Sequence, residues 1–182
     1  CNSHADAHLH CSTARHRRKA ATSLPPDDSY SIDEGRTRML NPLLQIVPEV
    51  IETDRLILRC PKAGDGQVVY PAVRESLPEL RRYLAAVPWV AEEPSVDASE
   101  VYCRTAYSNF IARKDMPYLI FERRTSLLVG GTGLHRPNWE VPKFEVGYWC
   151  RTAQVGQGYI SEAVRALACR AEEELGALRI EL

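Results

Sequence analysis

Three features are missing from the sequence, and each absence argues against one class of protein. No apolar run among the 182 residues approaches the length of a membrane-spanning helix, so we expect no membrane partner. The formal net charge is -1, which gives no basis for broad nucleic-acid binding. The six cysteines include no Cys-x-x-Cys pair and mostly lie in apolar patterns, which favours reduced thiols in a cytoplasmic protein.

Large apolar residues are also scarce at the start of the chain. Residues 1–38 are rich in His, Ser, Arg, Asp and Pro, and such a segment cannot bury enough apolar surface to offset the entropy of ordering. We therefore expect a disordered or non-native N-terminal extension at residues 1–38 and a linker at residues 39–51. The chain begins at Cys1 and its first methionine is Met39, as in a processed product, a fragment or an extended reading frame.

One motif in this extension suggests a metal. The segment Asp6-Ala-His8-Leu-His10 is similar to the Asp-x-His-x-His signature of metal-dependent hydrolases, in which the histidines end a buried strand. No apolar strand precedes the motif in this chain, and the only histidine after His16 is His135. A catalytic zinc site needs at least three protein ligands, so we expect no metal cofactor.

Apolar patterns downstream predict one α/β domain over residues 52–182. The predicted strands are residues 53–59, 117–122, 127–134, 143–150 and 178–182. The predicted helices are residues 65–75, 76–86, 97–114 and 160–175, with capping boxes at Ser76 and Asp97 and a C-cap at Gly176. Because the sequence stops within the last strand, we expect the domain to be incomplete.

A glycine-rich turn joins the strand at residues 143–150 to the last helix. Its sequence is Val155-Gly156-Gln157-Gly158-Tyr159-Ile160. Glycines allow several backbone N–H groups to point into one concavity, and a helix N-terminus adds partial positive charge. The turn therefore indicates a phosphate site for a nucleotide-bearing cofactor, although a tight strand-to-helix turn without a ligand has the same pattern.

The segments on both sides of this turn resemble the GNAT N-acetyltransferase superfamily. The match is to the Rim-type branch, which acetylates N-terminal amines of ribosomal proteins, and it extends over about residues 52–182. It rests on residues 129–135 (VGGTGLH), 139–149 (WEVPKFEVGYW) and 156–163 (GQGYISEA). The resemblance implies a GNAT fold with a mixed, mostly antiparallel central sheet flanked by helices, incomplete after the start of the family's fifth strand.

The resemblance also implies a binding site for acetyl-CoA, the acyl donor, between the family's fourth and fifth strands. The pantetheine would follow Tyr148, Trp149 and Cys150, and backbone N–H groups of residues 156–160 would hold the pyrophosphate. Val155 and Ile160 depart from the family's loop pattern. The implied cofactor-binding residues are Tyr148, Trp149, Cys150, Val155, Gly156, Gln157, Gly158, Tyr159 and Ile160.

Four side chains are candidates for the chemistry. Glu145 lies on the strand that would present the thioester and is the candidate base, or else a structural carboxylate. His135 could bind substrate or act as a base, or bond to backbone at a strand end. Trp139 and Trp149 could line an acceptor channel, or pack in the core.

The predicted function is an N-acetyltransferase that moves an acetyl group from acetyl-CoA to a primary amine by direct attack. The acceptor would be a protein N-terminus or a small-molecule amine. The alternative is a non-catalytic or degenerate acyl-CoA-binding module, which the loop departures at Val155 and Ile160 favour. The family's usual group for reprotonating the thiolate lies beyond the fifth strand. The sequence makes no prediction of the oligomeric state.

Overall fold

The computed structural model describes residues 41–84, 90 and 93–182. The predicted extension at residues 1–38, with its Asp-x-His-x-His motif, lies outside the described residues. No helix in the described part combines the length and the apolar character needed to cross a membrane. The elements are β1 (Val50–Glu52), β2 (Leu56–Arg59), α1 (Gly66–Leu84), α2 (Val96–Ile111), β3 (Met116–Glu122), β4 (Leu128–Asn138), β5 (Lys143–Cys150), α3 (Tyr159–Leu175) and β6 (Arg179–Glu181).

The strands form one mixed sheet in the order β1-β2-β3-β4-β5-β6. The pairs from β1 to β5 are antiparallel, and β5 and β6 are parallel. This confirms the predicted mixed, mostly antiparallel sheet flanked by helices. The predicted first strand is β2, preceded by a separate strand β1. The family's fourth and fifth strands therefore correspond to β5 and β6.

Helices cover both faces of the sheet. Alternate residues of each strand point to opposite sides, so each strand contributes side chains to both packed faces. On one side, buried residues of α3 pack against Phe144 and Val146 of β5. On the other side, α1 and α2 pack against Leu119 and Phe121 of β3. The predicted bounds of β5 and the C-cap at Gly176 (φ +62°) are confirmed.

The predicted break between two helices near residue 76 is wrong. A single helix, α1, runs from Gly66 to Leu84 through Pro71 and Pro78. The Ser76 hydroxyl donates to the Ala72 carbonyl within this helix, at 2.8 Å, so Ser76 is not an N-cap.

The second predicted capping box is also displaced. Ser95, rather than Asp97, caps α2 by accepting a hydrogen bond from the Ala98 N–H at 3.0 Å. The Glu100 carboxylate instead accepts from the backbone N–H groups of Gly64 and Gly66, at 3.0 and 3.1 Å. It therefore fixes the loop before α1 to the second turn of α2.

The folded part begins upstream of the predicted boundary at residue 52. Residues 39–51 were predicted as a linker, but they include most of β1, and the side chains of Val47 and Ile51 are buried in the core. The Tyr118 hydroxyl donates to the Pro48 carbonyl at 2.7 Å. These contacts are tertiary, so local sequence patterns did not indicate them.

Candidate active site

The glycine turn forms an exposed loop that ends in the N-terminus of α3. Gly156 and Gly158 have φ values of +83° and +75°, a region that favours glycine. Gly158 is the N-cap of α3 and supplies no side-chain cap. Within the described residues, the N–H groups of Gly156, Gln157 and Gly158 donate no hydrogen bond. The loop thus presents unpaired donors at the positive end of a helix, which suits an anionic group.

Arg55, which precedes β2, anchors this loop from one side. Its Nε donates to Glu162 Oε2 at 2.6 Å, and its Nη1 donates to the Gln157 carbonyl at 3.1 Å. Its guanidinium also lies over the Tyr159 ring, 4.9 Å from the centroid. Although burial opposes it, hydrogen bonds from Thr53 and Arg55 hold the pKa of Glu162 below its ordinary value. The first turn of α3 therefore carries an ionised carboxylate that keeps Arg55 in place.

The turn directly after β5 is anchored from the other side by α1. Arg151 forms an ion pair with Glu75, with an Nη2–Oε2 distance of 2.6 Å. The other oxygen of Glu75 accepts from the Ala153 N–H, and Ser76 Oγ accepts from the Thr152 N–H, both at 3.0 Å. The Arg151 hydrogen bond holds the pKa of the Glu75 carboxyl below its ordinary value. These bonds fix the path of the chain from β5 to the glycine loop.

The remaining predicted donor-site residues lie in three different environments. The side chains of Tyr148 and Val155 are 56% and 64% exposed. Trp149 packs toward α1 on the opposite face, where it borders a cavity. Ile160 lies against β4, because a Cβ at Gly130 would be 3.0 Å from its Cδ1. The departure at Ile160 therefore fills space that Gly130 leaves open.

Cys150 ends β5 as a partly buried free thiol. Burial raises the pKa of this thiol, so it stays protonated at neutral pH and is a poor nucleophile.

A cavity of about 560 Å³ lies between the helices α1 and α2 and the strands β3 to β5. Three glycines, Gly131, Gly133 and Gly147, lie on this face of the sheet, with Gly133 opposite Gly147 and Gly131 opposite Trp149. The charged or ionisable residues of the lining are Glu93, Tyr102, Asp115, Tyr118, His135, Glu145 and Tyr148. No lysine or arginine is found among the described residues of the lining. The cavity is therefore suited to a cationic rather than an anionic guest.

Glu145 lies near the start of β5 and borders this cavity. Its Oε2 accepts a hydrogen bond from the exposed Arg136 at 2.6 Å, and its side chain is 39% exposed. In the described part of the chain, its Oε1 has no hydrogen-bond partner. The carboxylate is therefore held in place by one oxygen and open to a guest through the other.

His135 lies directly opposite Glu145 in the pairing of β4 with β5. Its Nδ1 is 2.6 Å from Oδ1 of Asp115, a residue that the sequence did not single out. The reading of His135 as a strand-end residue bonded to backbone is therefore wrong. Met116 pairs with Leu134, so Asp115 and His135 are the next positions outward in the β3–β4 hairpin. Counting outward from the hairpin turn would have missed this pair by one residue, because the register shifts between Ile120 and Phe121.

Trp139 belongs to the core rather than to an acceptor channel. Its indole N–H donates to the Arg113 carbonyl at 3.2 Å, and its ring makes an edge-to-face contact with Phe144 at 5.3 Å. Of the two tryptophans proposed for a channel, only Trp149 borders the cavity.

One strand thus connects a cavity with a carboxylate to a loop with free N–H groups, an arrangement expected of a group-transfer enzyme. Residues 55–182 match the acetyltransferase (GNAT) domain, so the chain belongs to the GNAT acetyltransferase family and is an acyltransferase. This match confirms the predicted family. No curated protein sequence matches the chain.

Solved acetyltransferase structures share this fold. A candidate ribosomal-protein-serine acetyltransferase from Vibrio cholerae is 25% identical, with a TM-score of 0.62 over 72% of this chain and 71% of that one. An acetyltransferase from Salmonella typhimurium that modifies the N-terminal serine of a 50S ribosomal subunit protein is 19% identical, with a TM-score of 0.59 over 68% and 69%. The microcin C7 self-immunity acetyltransferase, in complex with acetyl-CoA and AMP, is 15% identical, with a TM-score of 0.64 over 72% and 70%.

Proposed function

We propose that this protein is an N-acetyltransferase that transfers the acetyl group of acetyl-CoA to a primary amine. The observation that carries the proposal is the course of β5. Its first half places Glu145 at the cavity, and its end leads into the loop of unpaired N–H groups. A donor bound along this strand would bring its thioester beside an acceptor in the cavity.

The donor half of the site comprises residues 148–160. We propose that the pyrophosphate of acetyl-CoA accepts hydrogen bonds from the N–H groups of Gly156 to Ile160 at the start of α3. The pantetheine would follow Tyr148, Trp149 and Cys150. In the described chain, β6 pairs only with Lys143, Phe144 and Glu145 of β5. We propose that the pantetheine amides form strand-type hydrogen bonds with the edge of β5 beyond Glu145.

The acceptor half is the acidic cavity. An amine arrives largely as an ammonium ion near neutral pH, and the carboxylates of Glu93, Asp115 and Glu145 attract it. The acceptor would be a protein N-terminus or a small-molecule amine, as the Rim-type resemblance implies. We expect amines without a nearby phosphate or carboxylate to be preferred, because the described lining offers no cation to pair with an anion.

The chemistry would be direct attack of the amine on the thioester carbonyl. A C–N bond forms, the C–S bond breaks, and the departing CoA thiolate takes up a proton. The oxygen of Glu145 that lacks a protein partner is the proposed acceptor for a proton of the amine. Since the Cys150 thiol is held protonated, an acetyl-cysteine intermediate is not expected at this position.

Thiol release from acetyl-CoA with a panel of amines and N-terminal peptides tests the proposal. We expect Glu145→Gln to lower kcat about 100-fold, within the range for general-base catalysis. The increase in Tm caused by acetyl-CoA should be unchanged, because the donor half is intact. Glu140→Gln, at an exposed turn between β4 and β5, is the matched control and should behave as the wild type.

Two results would contradict the proposal. Stabilisation of the wild type by acetyl-CoA without turnover of any amine would favour the acyl-CoA-binding module. Normal turnover by Glu145→Gln would remove Glu145 from the mechanism.

A further inference from the structure

We propose that His135, oriented by Asp115, is a second proton acceptor in this site, taking a proton from the attacking nitrogen through its Nε2. The inference rests on the proposed function, because it assigns a role within the same reaction. Its basis is the placement of the imidazole in the cavity.

The Asp115 carboxylate fixes which nitrogen of His135 can accept a proton. The Nδ1–Oδ1 distance is 2.6 Å, and the two side chains are 33% and 34% exposed. An ionised carboxylate can only accept a hydrogen bond, so Nδ1 of the neutral ring must carry the proton. Nε2 then holds the free lone pair. Asp115 is therefore a positioning residue, and His135 is the group that would contact the substrate.

The free nitrogen lies over the glycines of the cavity. A Cβ at Gly133 or at Gly147 would come within 2.9 Å of Nε2. Glycine inside a strand weakens it, so glycines at facing positions indicate that space above them is needed. Here the imidazole occupies that space. In the described part of the chain, Nε2 has no hydrogen-bond partner.

The surroundings of the imidazole are acidic on several sides. Asp115 precedes β3, Tyr102 lies on α2, Glu93 precedes α2 and Glu145 lies on β5, and all four border the cavity. The Arg136 guanidinium, next to His135 in the chain, is bound to Glu145 at 2.6 Å. Three carboxylates therefore share the cavity with the imidazole.

The nitrogen of the substrate must lose two protons in this reaction, and the site offers two proton acceptors, Glu145 and His135. The arriving ammonium gives one proton to Glu145, and the free amine then attacks the thioester carbonyl. The nitrogen of the resulting tetrahedral species gives its second proton to Nε2 of His135 as the C–S bond breaks. The imidazolium can return this proton to the CoA thiolate, and Glu145 releases the other to solvent. The products are the amide, the CoA thiol and one proton.

The test is a pH profile of thiol release by the full chain with the best amine of the panel. The kcat of the wild type should fall at acid pH, because a protonated imidazole cannot accept a proton from the substrate. The variant His135→Gln should lose about 100-fold in kcat at neutral pH and should lack the histidine-dependent fall, while its acetyl-CoA-dependent Tm shift is retained. Asp115→Asn should show an intermediate loss in kcat, because the carboxylate no longer fixes the proton of the ring on Nδ1. The same variant should have an altered distribution of the ring proton between Nδ1 and Nε2 in the NMR measurement described below.

An unchanged kcat and acid limb in His135→Gln would overturn the inference and leave the proposed function in place. Absence of turnover by the wild type with every amine would overturn both. Long-range ¹H–¹⁵N NMR of the ¹⁵N-histidine-labelled wild type gives a readout without catalysis, with His135→Gln or His135→Asn used for assignment. We expect the neutral His135 ring to carry its proton on Nδ1. A proton on Nε2 would overturn the proposed role.

Discussion

The two halves of the candidate site are built in different ways. The proposed donor half, from Tyr148 to Ile160, is a contiguous segment with an exposed glycine loop, and its proposed ligand-binding groups are backbone N–H groups. The acceptor half is a cavity whose chemical groups are the side chains of Asp115, His135 and Glu145, from three different parts of the chain. We infer that the donor half depends on backbone geometry, whereas the acceptor half depends on side-chain identity.

Glycine has a different purpose in each half. At Gly156 no atom lies within 4 Å of a Cβ position, so glycine is required there for its positive φ of +83° and not for space. At Gly147 a Cβ would meet the His135 ring at 2.9 Å, and the requirement is space. The same substitution, glycine to alanine, should therefore damage binding in one half and catalysis in the other.

The largest effect is expected for Gly147→Ala. The new methyl group must displace His135, since the Nε2–Cβ distance of 2.9 Å is too short for contact. If the imidazole takes part in proton transfer, kcat should fall about 100-fold, while the Kd for acetyl-CoA stays within a factor of about two. The free energy of unfolding should fall by roughly 1–3 kcal/mol, as is usual for overpacking. Steady-state kinetics and calorimetric titration of acetyl-CoA would measure these quantities.

A rise in Kd with an unchanged kcat would contradict this assignment of Gly147. Gly64→Ala, in the loop before α1, is the matched control for Gly156→Ala, because Gly64 and Gly156 both have a positive φ and no atom within 4 Å of a Cβ position. Gly64→Ala should lower the free energy of unfolding without altering kcat or the Kd for acetyl-CoA.

Gly156→Ala should give a smaller effect, on the binding of acetyl-CoA rather than on kcat. A non-glycine residue in the left-handed region is strained by roughly 1–2 kcal/mol, and the loop can relieve this strain by turning its N–H groups away. We expect the Kd for acetyl-CoA to rise about 10-fold, which corresponds to about 1.4 kcal/mol, while kcat at saturating donor is retained. A loss of kcat at saturation would show that the loop does more than bind the donor.

The sequence predicted the secondary structure around the donor half better than the side-chain contacts of the acceptor half, because the donor half is local. A strand, a glycine turn and an amphipathic helix follow one another between Lys143 and Leu175, so periodicity and turn chemistry indicated all three. The pairing of Asp115 with His135 depends on the register between β3 and β4, which residue-level patterns did not define. The acidic partner of the histidine was therefore missed, although the histidine itself was noticed.

The errors in the fold have the same origin. Ser76 and Asp97 have capping-box neighbours, but tertiary contacts decided their roles. The Ser76 hydroxyl turns to Ala72 and also accepts from the Thr152 N–H near the active site. Glu100, the partner expected for Asp97, holds the loop at Gly64. Local propensity predicted where helices occur and failed where a polar side chain had a better partner elsewhere in the fold.

The smallest effect is expected at the anchor of the donor half, the ion pair between Glu75 and Arg151. Glu75→Gln should lower the free energy of unfolding at neutral pH by about 1 kcal/mol or less, which is a Tm shift of roughly 2–4 °C, because both side chains retain some exposure. Since the pKa of the Glu75 carboxyl is held below its ordinary value, the pair stabilises the fold above that value and is lost as the pH falls through the folded pKa. The Tm difference between wild type and Glu75→Gln should therefore be full near pH 7 and shrink below about pH 4.

Glu79→Gln, one turn further along α1 and exposed, is the control and should show no such dependence. A difference that persists at low pH would mean that Glu75 acts by its shape and hydrogen bonds to Ala153 alone, and that the donor half is held in place without charge.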